Sequence, residues 1–583
     1  MSFNFTKLSL LGVTLLFPMM MQAVPAKPGV TELRQPDGTV VQALITGDEW
    51  QHFVYTTDGY LLTVDNKGFY VFADESDGKL VATSLLASDP DKRSESEMQA
   101  IAGLDREKIK VASMEVANPR MKAPMRGPGR YTTTFPAEGE QKSIAILVEF
   151  QNKEFTIDNP KEYYTRMLNE EGFSDYGATG SAREYFIKSS NGKFSPYFDV
   201  YGPVKLDKDY SYYGADGDRL AHEMIIDACK LLDDEVDFTE YDRNADGIID
   251  NVYVFYAGYG EADGGGADTI WPHSWDIIYS GFKRYFFDGV MLNHYACSME
   301  LQYTQVPDGI GTFCHEFGHV LGLPDLYCTT YDPAVFTLGS WCIMDIGSYN
   351  NNSRTPPFYS TYERYALDWI EPEILTEAGI YELENLSDTN HAYMFPAGKE
   401  DEFFLFENRQ QIGNDLYIPG HGLLIWHIDV DQEIFDNNVV NNDAKHQYVD
   451  LVEADDRPTE GSRNGDSFPG ASNVTSFTSE TSPAFLSWNG NPVGFDITDI
   501  SESEEGKITF TVISNSDAGM DGVKATAGFI LIADMLTCRN NSLNVYNVSG
   551  QKVVGLSYGE SIKLPEGIYI VSYGKESHKI AIR

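Results

Sequence analysis

Hydrophobic positions change period several times along the chain, and each change marks a new kind of element. Between Val24 and about Ser113, short alternating runs are separated by turns: Val40–Ile45, Phe53–Tyr55, Tyr60–Val64 after the Asp58-Gly59 turn, and Phe69–Ala73. This pattern predicts β-strands, and a helical stretch follows near Ser94–Ile109. Residues 24–113 therefore read as a small α+β module. From about Gln141 the pattern shifts. Ser143–Phe150 and Val252–Ala257 are continuous apolar runs, as buried strands require. Asp218–Leu232 has helical period, with Leu220, Met224 and Ala228 on its inward face, and a second helix is expected over about Gly311–Leu321. This domain spans residues 141–372. Residues 373–513 alternate β runs with turns and predict a β-sandwich. A polar linker, residues 514–526, leads to a last β module at 527–583, with runs at Leu543–Val548, Gln551–Val554 and Leu564–Val571. The expected fold class is α+β multidomain: a central α+β domain, a β-sandwich and a small C-terminal β module.

Two segments lie outside this pattern. Residues 1–23 carry Lys7, an apolar stretch from Leu8 to Met20, and Ala23 before the expected cut, which is the layout of a secretory signal. No other apolar run is long enough to span a membrane. Residues 114–140 are rich in Pro and Gly and place Arg120, Lys122, Arg126 and Arg130 within eleven residues without an acid. An exposed processing site and an ordinary linker both fit this stretch. The whole chain has 583 residues and a formal charge of −45, from 88 acids against 43 bases. That balance argues against nucleic acid or anionic membrane partners and suits a secreted protein that binds calcium.

The candidate chemistry is concentrated in His315–Asp325, which reads HEFGHVLGLPD. His315 and His319 are four apart, so a helix puts both imidazoles on one face, where they can share a zinc ion. Glu316 lies beside them as a base that need not bind the metal. Gly322 permits a left-handed helix stop and Pro324 prevents continuation, so the chain can turn back and offer Asp325 as a third ligand. No G-x-S-x-G elbow or Walker loop offers a rival chemistry.

This motif resembles the metzincin zinc-peptidase signature with Asp in place of the last His, a form similar to the immune inhibitor A-type secreted metallopeptidases. The resemblance implies a methionine turn, and Met344 in GSWCIMDIG stands 19 residues after Asp325. It implies catalysis by zinc-activated water, with Glu316 as general base and protein or peptide substrates. Some metzincins supply an oxyanion donor from a Tyr two residues after that Met. Here Ile346 occupies the position, leaving Tyr349 as a weak candidate. The placement of residues 24–113 resembles that of a propeptide. A rival class, a surface binding protein with a structural zinc, gains nothing from Glu316, because a structural site needs no base.

A second metal pattern is DRNADGIID at Asp242–Asp250. Asp242, Asn244, Asp246 and Asp250, with the Ile248 carbonyl, occupy calcium-loop positions 1, 3, 5, 9 and 7. Tyr253 replaces the usual Glu at position 12, so a last ligand must come from elsewhere. The same family carries a similar loop, and also the segments around His273 and His427. A structural role is expected for His273. Glu453, Asp455 and Asp466 form a further acidic group, which reads equally as a cation site or as solvated surface. Of six cysteines, Cys328 and Cys342 are the expected disulfide and Cys314 is expected to pack. Finally, Leu564, Gly567 and Tyr569 form an L-x-x-G-x-Y pattern that resembles the C-terminal sorting domains of type IX secretion in Bacteroidota. Secretion machinery is the partner that this resemblance implies.

Overall fold

The computed structural model describes residues 24–582, apart from residues 49–51, 77–78, 115–128, 131–132, 134, 281–282, 303, 333, 400, 515–522, 527–528, 533–534, 539–541 and 575. The expected signal and three of the basic linker positions, Arg120, Lys122 and Arg126, fall outside the described residues. The architecture is mixed α+β in several units.

Residues 30–86 form a six-stranded antiparallel meander in chain order, from Val30–Arg34 to Lys79–Leu86. Two helices follow, Glu95–Ala102 and Arg106–Met114, where the sequence suggested one. The first is closed by a capping box in which Ser94 and Glu97 satisfy each other's backbone N–H.

The central unit is a five-stranded sheet. Its order is His273–Asp276, His294–Leu301, Val252–Tyr259, Gly139–Glu149, Phe194–Lys205. Four strands are parallel and the edge strand His273–Asp276 is antiparallel. Both faces are covered at its centre, which is why Ser143–Phe150 and Val252–Ala257 read as unbroken apolar runs. Ala145, Leu147, Tyr253 and Phe255 face a core shared with the helix Ile310–Val320. Ile144, Ile146, Val148, Val252 and Val254 face the opposite core, shared with the helix Ala221–Leu232. That helix begins three residues later than expected. Asp218 ends a preceding helix at positive φ, and Leu220 sits at the N-cap instead of in the core.

The sequence also puts the start of this unit too late. Tyr362 Oη donates to Gly129 O at 3.0 Å, Thr133 Oγ1 donates to Val320 O at 2.6 Å, and Phe135 packs on Phe317. Arg130 is buried against the Ala366 carbonyl and Asp368, so it is not an exposed processing position.

Residues 373–513 contain a five-stranded and a three-stranded sheet. Leu423 and Ile425 join Phe495, Ile497, Phe510 and Val512 in a core between the two sheets. The alternate residues Leu424, Trp426 and Ile428 belong to the core that holds the helix Ile310–Val320. The strand Gly422–Asp429 is therefore buried on both faces, and this unit is packed tightly against the central one. Residues 523–582 form two further four-stranded sheets around a separate small core. Among the described residues no helix is long and apolar enough to cross a membrane.

Candidate metal centre

The helix Ile310–Val320 carries His315, Glu316 and His319, and every one of its residues is buried. It stops as its sequence requires. Gly322 takes φ +99°, and Leu323 N–H returns to Gly318 O at 3.0 Å. That turn does chemical work as well, because the Leu323 carbonyl accepts from His319 Nδ1 at 2.9 Å. His315 Nδ1 donates in the same way to Ile343 O at 2.7 Å. A carbonyl can only accept, so both rings carry their proton on Nδ1 and present a bare Nε2. The two Nε2 atoms lie 3.1 Å apart, and Asp325 Oδ1 lies 3.2 and 3.5 Å from them. Three acceptors thus converge with no donor among them. Two imidazoles and a carboxylate form a donor set that suits zinc. Among the described residues this is the only group of three His, Cys, Asp or Glu ligand atoms within 4.8 Å of one another.

Burial pushes His319 down, with Asp325 opposing. Burial also pushes Glu316 well above its ordinary value, and the neighbouring Asp325 adds to this. Glu316 Oε2 has no hydrogen-bond partner, whereas Oε1 accepts the backbone N–H of Val24 at 2.9 Å. Val24 is fully buried.

Met344 lies directly against the metal helix. A Cβ added to Gly318 would fall 2.6 Å from Met344 Sδ, so glycine is what lets the two segments approach. The backbone on either side ties the turn to the site, through Ile343 O on His315 and Met344 O on Leu326 N–H.

One partner had no signal in the motif. Asn438, from the following unit, donates to Asp325 Oδ2 at 2.6 Å and accepts from Asp325 N–H at 2.9 Å. It fixes the third ligand from 113 residues away.

Several expectations meet different partners. Tyr349 Oη donates to Pro25 O at 2.7 Å, on the residue after the one whose N–H meets Glu316, so it holds the N-terminal segment rather than an oxyanion position. Cys328 and Cys342 are not bridged to each other, and both are buried. Cys342 Sγ donates to Glu363 Oε1 at 3.3 Å and Cys328 Sγ meets Thr330 Oγ1 at 3.2 Å. Cys314 packs in the core of the metal helix. His273 is held between Trp271 O and Tyr295 Oη, and burial pushes it down to about 4. His427 pairs with Glu402 and stacks on Phe404 and Trp488. Asp466 accepts from Trp341 Nε1, and burial pushes it up to about 7.

The Asp242–Asp250 loop is wound inward by its own side chains. Asp242 accepts from the N–H groups of Asp246 and Gly247, Asn244 from Asp246, Asp246 from Ile248, and Asp250 from Arg243. Burial, with Asp246 and Asp242 nearby, raises Asp250 to about 7. Tyr253 lies fully buried in the following strand.

Comparison with known proteins falls on this same region. The chain is 28% identical over 294 residues to the pre-pro-metalloprotease PrtV of Vibrio cholerae serotype O1 (strain M66-2), covering 42% of this chain and 32% of that protein. It is 28% identical over 254 residues to immune inhibitor A of Bacillus thuringiensis subsp. alesti, covering 36% of each. The chain thus spans about a third of the length of these curated relatives. Residues 137–372, which hold the three converging acceptors and Glu316, match the family model described as immune inhibitor A peptidase M6, catalytic domain.

Proposed function

We propose that this protein is a secreted zinc-dependent endopeptidase made as a zymogen. One observation carries the reading: His315 Nε2, His319 Nε2 and Asp325 Oδ1 converge without a donor, beside a buried Glu316 that is not among them. His315, His319 and Asp325 would hold the metal, and Asn438 would orient Asp325. Bound there, zinc supplies the Lewis acidity that brings deprotonation of water towards neutral pH. Glu316 takes that proton and returns it to the leaving nitrogen of the scissile bond. An N–H of Val24 already sits on Glu316 Oε1, which supports this assignment. Substrates are proteins or peptides.

The same contact is the basis for latency. Residues 24–27 occupy the ground next to Glu316, and no cysteine lies before Cys229 to act as a thiolate blocker. Removal requires a cut ahead of Gly129, where the described catalytic unit begins. The loop Asp242–Asp250 is proposed to bind calcium through Asp242, Asn244, Asp246, Asp250 and the Ile248 carbonyl. Residues 527–583 are proposed to be the sorting module for secretion, on the Leu564, Gly567 and Tyr569 pattern. Deleting them should leave hydrolysis intact and hold the protein inside the outer membrane.

The deciding experiment is digestion of a denatured generic protein by the processed enzyme, with and without a zinc chelator. Hydrolysis that the chelator stops and zinc restores is expected. Hydrolysis unaffected by chelation would sink the reading.

A further inference from the structure

The segment Val24–Lys27 is laid out like the leaving-group side of a substrate. The Val24 N–H on Glu316 Oε1 stands where a leaving nitrogen receives its proton. Val24, Pro25, Ala26 and Lys27 then take the first four positions after the scissile bond. The catalytic unit holds three of them. Trp271 Nε1 donates to Val24 O at 2.8 Å, Tyr349 Oη donates to Pro25 O at 2.7 Å, and Lys27 N–H donates to Ala262 O at 3.1 Å. Ala26 instead turns its N–H back to Gly47 O in its own module.

The fourth side chain has a prepared receptor. Lys27 Nζ lies 3.3 and 3.4 Å from the two carboxylate oxygens of Asp263, which is 1% exposed, and 3.4 Å from Gln302 Oε1. The orientation of Gln302 is fixed without help from the N-terminal module. Its Nε2 donates to Asp308 Oδ1, Asn352 O and Ser353 Oγ, so its oxygen must face the ammonium. Glu261 lies on the same short turn as Asp263 and adds negative charge beside it.

We propose that Asp263 and Gln302 form a subsite that selects a lysine or arginine four residues after the scissile bond. Lys27 fills it in the latent protein, and a basic residue of the substrate fills it after the module leaves. This rests on the reading of Glu316 as the group that protonates the leaving nitrogen.

The test measures, by calorimetry, binding of two amidated peptides, Val-Pro-Ala-Lys and Val-Pro-Ala-Glu, to enzyme matured from the full chain. The lysine peptide should bind at least about fivefold more tightly, the upper range for one partly desolvated ion pair. In Asp263→Asn the two affinities should come within about twofold. Equal affinities in the unmodified enzyme, binding of neither peptide, or a preference that survives Asp263→Asn would each overturn the subsite. The first comparison needs no variant, so it stands even if Asp263→Asn does not fold. Zinc-dependent digestion of denatured protein is followed in parallel. Loss of that activity alongside an intact lysine preference would remove the peptidase reading and leave a basic-residue binding site.

Discussion

At Glu316 burial, more than any neighbouring charge, sets the affinity for the proton. The fold has dried this carboxyl, with one oxygen unpartnered and the other on a backbone N–H. Because it is no part of the converging set, removing it should separate chemistry from metal retention. Glu316→Ala is expected to lower kcat/KM on peptides by about 10²–10⁴-fold while zinc content after dialysis stays stoichiometric. Metal analysis beside a fluorogenic assay reads both, and unchanged turnover would refute the role. Asn438→Ala should do the reverse. It strips two hydrogen bonds from Asp325, and loss of such an orienting partner costs about 10–100-fold in zinc affinity. Competition with a graded chelator measures this, and an unshifted affinity would mean Asp325 is held well enough by its turn. The contrast between these residues shows how far the sequence reaches. Four side chains of the site lie within eleven residues, where helix period and a glycine stop fix their relations. Asn438 could not be read, because its meaning depends on a partner 113 residues away.

At the scale of elements, period predicted identity well and boundaries less well. The two central strands and the metal helix were legible because continuous apolar runs and a terminating Gly-Leu-Pro each admit few structures. The helix before Leu232 was drawn too long, since a reversal at Asp218 leaves no mark on apolar spacing. The alternation over residues 373–513 predicts a β-sandwich, which includes the strand Gly422–Asp429. Its even-numbered and odd-numbered residues in fact fill two different cores, a distinction invisible in a run that is apolar throughout. The acidic loop Asp242–Asp250 is the element with most to gain from a ligand. Its carboxylates turn inward onto its own N–H groups, and their crowding helps burial raise Asp250 to about 7. Calcium bound to the folded loop should stabilise the chain by mass action. A calcium-selective chelator is therefore expected to lower the melting temperature, and Asp246→Ala should abolish that sensitivity. If calorimetry finds the unmodified protein indifferent to the chelator, the loop is an acidic turn and nothing more.

Over the whole molecule, the N-terminal module meets the catalytic unit at several points, two of them on the short turn Glu261–Asp263. Val24 meets Glu316, Lys27 meets Asp263, and His52 Nε2 lies 3.1 Å from Glu261 Oε1. The last of these makes docking depend on pH. Burial would lower His52, but Glu261 outweighs it and, with the Asp48 carbonyl and carboxylate adding to the effect, raises the imidazole above its ordinary value of 6.5. The ring also stacks on Trp271 at 5.0 Å, which carries no charge. A partner-raised histidine binds its proton more tightly when docked than when released. Its contribution is thus complete below about pH 6.5 and fades as pH rises through the raised value. The module should accordingly leave more readily in mildly alkaline solution than at pH 6. Full chain nicked ahead of Gly129, diluted at a series of pH values, should show module dissociation rising with pH. His52→Gln keeps a donor without the titrating charge, so it should flatten that profile. Dissociation that is level from pH 6 to 8.5 in the unmodified chain would show that the His52–Glu261 contact does not govern release of the module.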